Sequence, residues 1–292
     1  MKLASFDRDG MVRLGLVDAA GLRDLHGVPG LPGDMSSLCA MDPREIAALV
    51  ASARPTTVIP LDQVRLLAPV PRPRKNIFCV GKNYREHARE FSSSGFDASS
   101  TGAAVPDVPI IFTKAATSVI ETGAGIPGYL DATHSVDYEG ELAVVIGRPG
   151  RGIPRERAME HVFGLTILND VTARETQKTH KQWFLGKSLD GFCPMGPFVV
   201  TLDEIEDLGS LRLTTSVNGE VRQDAYVRDL LFDVPTLIEV ISSGITLESG
   251  DIIATGTPAG VGIGFVPPRY LVAGDRVAIS ITHLGTLENH VI

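Results

Sequence analysis

The stretch HSVDYEGELAVVIGR, residues 134–148, decides how the chain is read. It alternates in the manner of a strand, and strand side chains at i and i+2 share a face. Asp137, Glu139 and Glu141 therefore fall on one face, while Leu142, Val144 and Ile146 continue the opposite face as an apolar row. Neighbouring carboxylates on a half-buried sheet repel one another and lose hydration, so the pattern asks for a compensating cation. The plainer alternative is a solvated edge strand that happens to carry three acids.

Outward from that strand the chain reads as β-rich. NIFCVG (76–81), FGLTILND (163–170), GPFVVT (196–201), LRLTTSVNGE (211–220), DIIATG (251–256) and DRVAISI (275–281) are short apolar or alternating runs. Two helices are well signalled. DPREIAALVASA (42–53) has Asp42 as cap and Pro43 at its first position, and DVPTLIEVISSG (233–244) has Pro235 near its start and Gly244 as a stop. Strands dominate and βαβ alternation is irregular, which predicts an α+β fold rather than a doubly wound one. The proline-rich run APVPRPRKN (68–76) reads as a boundary. It divides the chain into a small N-terminal domain, 1–70, and a larger domain, 71–292.

At 292 residues and 43% hydrophobic content the chain can build a core large enough for that division. A net charge of −8 argues against nucleic acid as a partner, since phosphate binding needs clustered Lys and Arg. No apolar run approaches the ~18 residues of a membrane span. The opening MKLASFDRDG reaches an acid at Asp7 and does not resemble a secretory signal. Cys39, Cys79 and Cys193 are odd in number and lack metal spacing, which suits reduced thiols in a cytoplasmic protein.

Three groups of residues carry candidate chemistry. Asp170 ends the 163–170 strand, where it can meet Glu139 and Glu141 from a neighbouring strand. All-oxygen donors suit a hard cation such as Mg²⁺ or Mn²⁺, and no Cys or His pair has zinc spacing. In VGKNYREHAREF (80–91), Asn83 and Glu86 resemble a capping box, so His87 and Glu90 fall three apart on one helical face. A glutamate there orients the imidazole as a base. The small, polar run 92–109 that follows has the composition of a lid. Lys187, between a glycine and a serine, can hold an anionic oxygen as a point charge. Each also has a bland reading as a solvated surface charge. ATGTPAGVGIG (254–264) looks like a dinucleotide loop but is followed by FVPPRYL, which breaks any helix. Its glycines more simply let backbone approach a ligand, with Thr255 and Thr257 nearby.

Taken in order, VGKNYREHARE, DYEGELAVVIG, LNDVTARE, GKSLDGFCPMGP, SVNGEVRQ and TLESGDIIATGTPAGVG resemble the fumarylacetoacetate hydrolase superfamily over residues 75–292. The resemblance implies a β-rich catalytic domain with a mixed sheet, a homodimer, and a divalent metal held by Glu139, Glu141 and Asp170. That metal is usually Mg²⁺, with Mn²⁺ or Ca²⁺ as substitutes. It further implies His87 and Glu90 as the lid dyad, Lys187 as the substrate lysine and Thr257 as a substrate contact, with Gln182 and Asp190 flanking the pocket. Lys82 stands where an apolar residue is usual. The activity implied is hydrolysis of a C–C bond in acylpyruvate-like 2,4-dioxo acids through an enolate. The alternative is isomerisation or decarboxylation of ring-cleavage products in aromatic catabolism. A nicotinamide oxidoreductase is a distant third.

Overall fold

The computed structural model describes residues 1–53, 57–97 and 105–292. Among them, twelve strands form one mixed sheet. Its main path uses β1 (Lys2–Arg8), β2 (Met11–Asp18), β3 (Gly21–Asp24), β4 (Val58–Ile59), β5 (Ile77–Gly81), β6 (Ile110–Lys114), β7 (Gly140–Ile146), β8 (Val162–Asn169), β9 (Cys193–Thr201) and β10 (Ile252–Ala254). Their order is β4-β3-β2-β1-β9-β8-β7-β10-β5-β6. The pairs are antiparallel except β10 with β5. The N-terminal strands continue this sheet through the β1–β9 ladder, with Lys2 opposite Val200. Ala68 and Val70, in the proline-rich run, are buried in the core.

A second sheet is built on Arg212–Val217, Glu220–Tyr226, Arg276–Ile281 and Gly285–Val291, with Gly125–Ile126 at its edge. It covers one face of the first. Leu142, Val144 and Ile146 of β7 pack in one cluster with Leu213, Ile279 and Ile281. On the opposite face Ala143 and Val145 meet Leu38, Ile46 and Val50, so helix α1 (Pro43–Ala53) and its neighbours close that side. Both faces of β7 are therefore buried, which is why the run ELAVVIG is apolar at every position after its glutamate.

Two local expectations are corrected. The 134–148 stretch is not one strand: Val136–Asp137 pairs with Thr172–Ala173, and β7 begins only at Gly140. A Cβ at Gly140 would lie 2.2 Å from Thr215 Oγ1, so the chain turns in against the second sheet there. Asp137 consequently leaves the other two acids, as described below. Helix α2 (Arg85–Ser93) starts without a capping box, since Tyr84 is its cap and supplies no side-chain bond. Asn83 is buried and spent elsewhere, donating to the carbonyls of Phe232 and Thr255 and accepting from the Phe232 N–H. Polar side chains that bond distant backbone are lost to capping. Helix α3 (Arg174–His180), α4 (Phe184–Lys187) and α5 (Val234–Ser242) complete the elements used below, and α5 is capped by Asp233, whose side chain accepts from the Thr236 N–H. No helix of the described residues is long and apolar enough to cross a membrane. The three cysteines are free and buried.

Candidate active site

The β7–β8 register sets Gly140 opposite Asn169, which brings the residues just outside each strand, Glu139 and Asp170, together. The Asp170 N–H donates to the Glu139 carbonyl at 2.8 Å, and the Glu139 N–H donates to Asn169 Oδ1 at 3.0 Å. Glu141, two residues on, points to the same side. One carboxylate oxygen from each of Glu139, Glu141 and Asp170 lies within 4.8 Å of the others, and all three residues are buried.

Buried cations surround the cluster unevenly. Lys187 Nζ lies 2.7 Å from Glu139 Oε2 and 2.7 Å from Asp170 Oδ2. Lys114 Nζ lies 2.8 Å from Asp170 Oδ1 and also donates to the carbonyls of Val171 and Lys187. Arg174 reaches Glu139 at 2.7 Å and Asp137 at 2.9 Å. Glu141 has the Gly256 N–H at 2.8 Å and no ion pair among the described residues. Burial, then the charges of Asp170 and Glu139, push its carboxyl well above the usual range. Burial also works against Glu139, but Lys187 and Arg174 outweigh it and hold that carboxyl at about 2. Burial disfavours the Lys187 ammonium, yet Asp170 and Glu139 overcome it and raise its pKa, so Lys187 remains charged.

Three converging carboxylates, one without a cation of its own, fit a hard divalent ion better than they fit one another. That is the chemistry of the donor set. Asp137 does not belong to it. Its oxygens take the Arg174 guanidinium and the N–H groups of Tyr138, Gly262 and Ile263, which ties the glycine-rich loop to α3.

The His87–Glu90 pair forms on α2. His87 Nδ1 is 3.1 Å from Glu90 Oε2, and Glu90 Oε1 accepts the Gly260 N–H at 2.9 Å. A carboxylate only accepts, so Nδ1 carries the proton and Nε2 is left to act. One cavity is lined by His87, Glu139, Arg174, Gln177, Lys187 and Thr257, among others. Thr257 is fixed by donating to the Gly140 carbonyl at 3.0 Å and accepting from Gln223 Nε2 at 2.7 Å. The 98–104 part of the expected lid lies outside the described residues.

Gln182 and Asp190 are not brought into this site. Both are exposed and neither lines the cavity. Lys181, at φ +60°, turns the chain between α3 and α4 and leaves Gln182 in solvent. The buried positions of that segment are Arg174 and Gln177, three apart on α3 and joined by a 3.3 Å hydrogen bond. Sequence reasoning missed both, because RETQKTH reads as a charged, solvated helix. Lys114 was missed as well, since it sits at the end of an ordinary strand.

Comparison with known proteins finds relatives along most of the chain. Residues 76–292 match the family described as fumarylacetoacetate (FAA) hydrolase C-terminal. The oxaloacetate tautomerase YisK of Bacillus subtilis (strain 168) is 51% identical over 231 residues, covering 79% of this chain and 74% of the relative. A fumarylacetoacetate hydrolase structure from psychrophilic Exiguobacterium antarcticum is similar with a TM-score of 0.82 at 41% identity, covering 100% of this chain and 99% of that one. Maleylpyruvate hydrolase from Sphingobium sp. SYK-6, solved in complex with manganese(II) ion and pyruvate, is similar with a TM-score of 0.81 at 32% identity and the same coverage.

Proposed function

The chain belongs to the fumarylacetoacetate hydrolase family, and from that premise we propose that it is a divalent-metal-dependent enzyme interconverting the keto and enol forms of a short 2-oxo acid. One observation carries the reading: a fixed ammonium, Lys187, and an oriented base, His87, line the same small cavity. Enol chemistry needs both, a proton moved at carbon and charge balanced at oxygen. The tautomerase at 51% identity supports the choice of reaction.

Glu139, Glu141 and Asp170 would hold the cation, with Mg²⁺ as the proposed ion. When bound, it supplies Lewis-acid polarisation of a carbonyl oxygen. Lys187 neutralises charge that develops on the enolate oxygen. His87 carries the proton to or from the carbon beside the carbonyl through Nε2, while Glu90 keeps Nδ1–H engaged and the ring in place. Arg174 and Gln177 present donors to a carboxylate in the cavity, and the Thr257 hydroxyl bounds its floor. The bond from the Gly260 N–H to Glu90 ties α2 to the glycine-rich loop and so fixes His87 on the cavity wall. A homodimer, a cytoplasmic location and a division into a small domain, 1–70, and a catalytic domain, 71–292, are part of the same proposal.

The second reading is C–C hydrolysis of an acylpyruvate, favoured by the same dyad, since a histidine oriented by a carboxylate can equally deprotonate water. The test follows the decay of enol absorbance in freshly dissolved oxaloacetate with Mn²⁺-loaded protein. A rate above the blank, abolished by chelator, is expected. No acceleration, with cleavage of an acylpyruvate instead, would replace tautomerisation by hydrolysis.

A further inference from the structure

The glycine-rich run ATGTPAGVGIG, 254–264, has the look of an anion-binding loop, and in the folded chain four of its N–H groups bind carboxylates of the protein itself. The Gly256 N–H donates to Glu141 Oε2 at 2.8 Å, and the Gly260 N–H to Glu90 Oε1 at 2.9 Å. The N–H groups of Gly262 and Ile263 donate to Asp137 Oδ1 and Oδ2 at 2.6 and 3.1 Å. Backbone donors converging on carboxylates in this way hold them as they would hold a phosphate. The glycines are what let the backbone come so close. A Cβ at Gly262 would stand 2.6 Å from Asp137 Oδ1, and one at Gly260 would stand 1.9 Å from the Arg222 carbonyl oxygen.

Those three carboxylates belong to three different parts of the site. Glu141 is one of the converging acids, Glu90 holds His87, and Asp137 holds Arg174 through a 2.9 Å bond from Nε. Asp137 and Tyr138 are fully buried neighbours, and the Tyr138 hydroxyl donates to the Gly260 carbonyl at 2.8 Å. The pair therefore grips the loop twice. Asp137 takes the N–H groups of 262 and 263, and Tyr138 takes the carbonyl of the residue whose N–H holds Glu90. We propose that Asp137 and Tyr138 are positioning residues that act on the base through this loop: they fix where Gly260 presents its N–H, Gly260 fixes Glu90, and Glu90 fixes the His87 ring. The same Asp137 carboxylate sets Arg174. The guanidinium assigned to a substrate carboxylate and the base that moves the proton are thus held in register by one loop. This deepens the enol-forming reading above and rests on it.

Tyr138→Phe removes one hydroxyl and is the principal variant, while Asp137→Asn removes the charge that holds both Arg174 and the loop. The first readout needs no turnover. It is the His87 Nδ1–H proton resonance of Mg²⁺-loaded protein labelled with ¹⁵N-histidine, assigned by its loss in His87→Ala. Both variants should broaden it or move it upfield as the bond to Glu90 loosens. The second readout is steady-state enol–keto conversion of oxaloacetate. Tyr138→Phe should lower kcat about 10-fold, the value of one hydrogen bond, with KM unchanged. Asp137→Asn should lower kcat and also raise KM about 10-fold, because Arg174 loses one of its two carboxylates. In a Glu90→Gln background Tyr138→Phe should cost nothing further, since the residue it acts through is already disabled. Should Asp137→Asn fail to fold, Tyr138→Phe decides. A Tyr138→Phe protein with wild-type resonance and kcat, whatever its Tm, would make the loop a structural fastening only and overturn the proposal. An undiminished loss of kcat in the Glu90→Gln background would overturn it too, by placing the effect outside Glu90. A wild type without enol–keto activity would overturn the enol reading instead, and the His87 resonance alone would then judge the proposal.

Discussion

Gly264→Ala offers a way to disable the base without touching it. The new Cβ would stand 1.9 Å from Glu90 Oε1 and 2.4 Å from its Cδ. Backbone strain does not enter, because Gly264 is not among the residues with positive φ. The clash falls on the end of a flexible side chain, so Glu90 swings away and the fold accommodates the methyl group. Two contacts are then lost, the 2.9 Å bond from Gly260 N–H and the 3.1 Å contact with His87 Nδ1. The first is worth about 1–2 kcal/mol to stability. Glu90 regains water in part, so Tm should fall by less than about 5 °C. Catalysis should suffer more. A positioned general base contributes roughly 10²–10⁴-fold, and losing its orientation while keeping the imidazole should cost about 10²-fold, or about 2.7 kcal/mol. The assay is kcat for enol–keto conversion at saturating Mn²⁺, alongside Mn²⁺ affinity by titration calorimetry. Affinity should be unchanged, as Glu90 is not among the carboxylates of the cluster. A Gly264→Ala enzyme with full kcat would show that the Glu90–His87 contact does nothing for the base.

Other outcomes follow from the same geometry. Glu139→Gln and Glu141→Gln should each keep the fold and weaken Mn²⁺ binding at least about 10-fold; wild-type affinity in either variant would remove that residue from the site. Because burial and like charge raise the Glu141 pKa, the metal-free protein retains this proton above the usual carboxyl range. Metal binding should then release a proton, and affinity should rise as pH is raised above the usual carboxyl range. The sign for the fold is the reverse. A raised carboxyl pKa stabilises the metal-free chain below the unfolded value, and this is lost as pH rises through the folded one, so added Mn²⁺ should raise Tm more at high pH. Calorimetry in buffers of different ionisation enthalpy checks the release; a heat independent of buffer counts against it. Arg174→Met strands Asp137 as a buried charge without a cation and leaves Glu139 to Lys187 alone, and should destabilise by about 3–5 kcal/mol, measured by denaturant unfolding. A loss below about 1 kcal/mol would mean that the two carboxylates do not depend on it.

The carboxylates were legible because strand geometry is periodic. Glu139 and Glu141 obey the i, i+2 rule, and Asp170 marks a strand end, so local pattern alone brought the three to one place. Asp137 obeys the same pattern on paper, but the chain breaks at 138–139 and its partner is Arg174, 37 residues away. Nothing local announces such a pairing. Arg174 and Gln177 belong to a short helix with charged neighbours, RETQKTH, which reads as solvated surface until the glycine-rich loop is folded over it. Gln182 was misplaced for the opposite reason. It lies close to Lys187 in sequence, but the turn at Lys181 sends the two side chains to different environments. The broad α+β architecture survived these errors because it depends on where apolar residues recur, not on where single polar groups find partners.

Hydrogen exchange at the carbon next to the carbonyl tests the central claim most directly. Oxaloacetate dissolved in D₂O with Mn²⁺-loaded protein should gain deuterium at that carbon faster than the blank, seen as loss of the methylene proton signal by NMR. His87→Ala should return the rate to the blank while Mn²⁺ still binds. Exchange no faster than the blank in wild type, or undiminished in His87→Ala, would contradict an enol-forming base at this site.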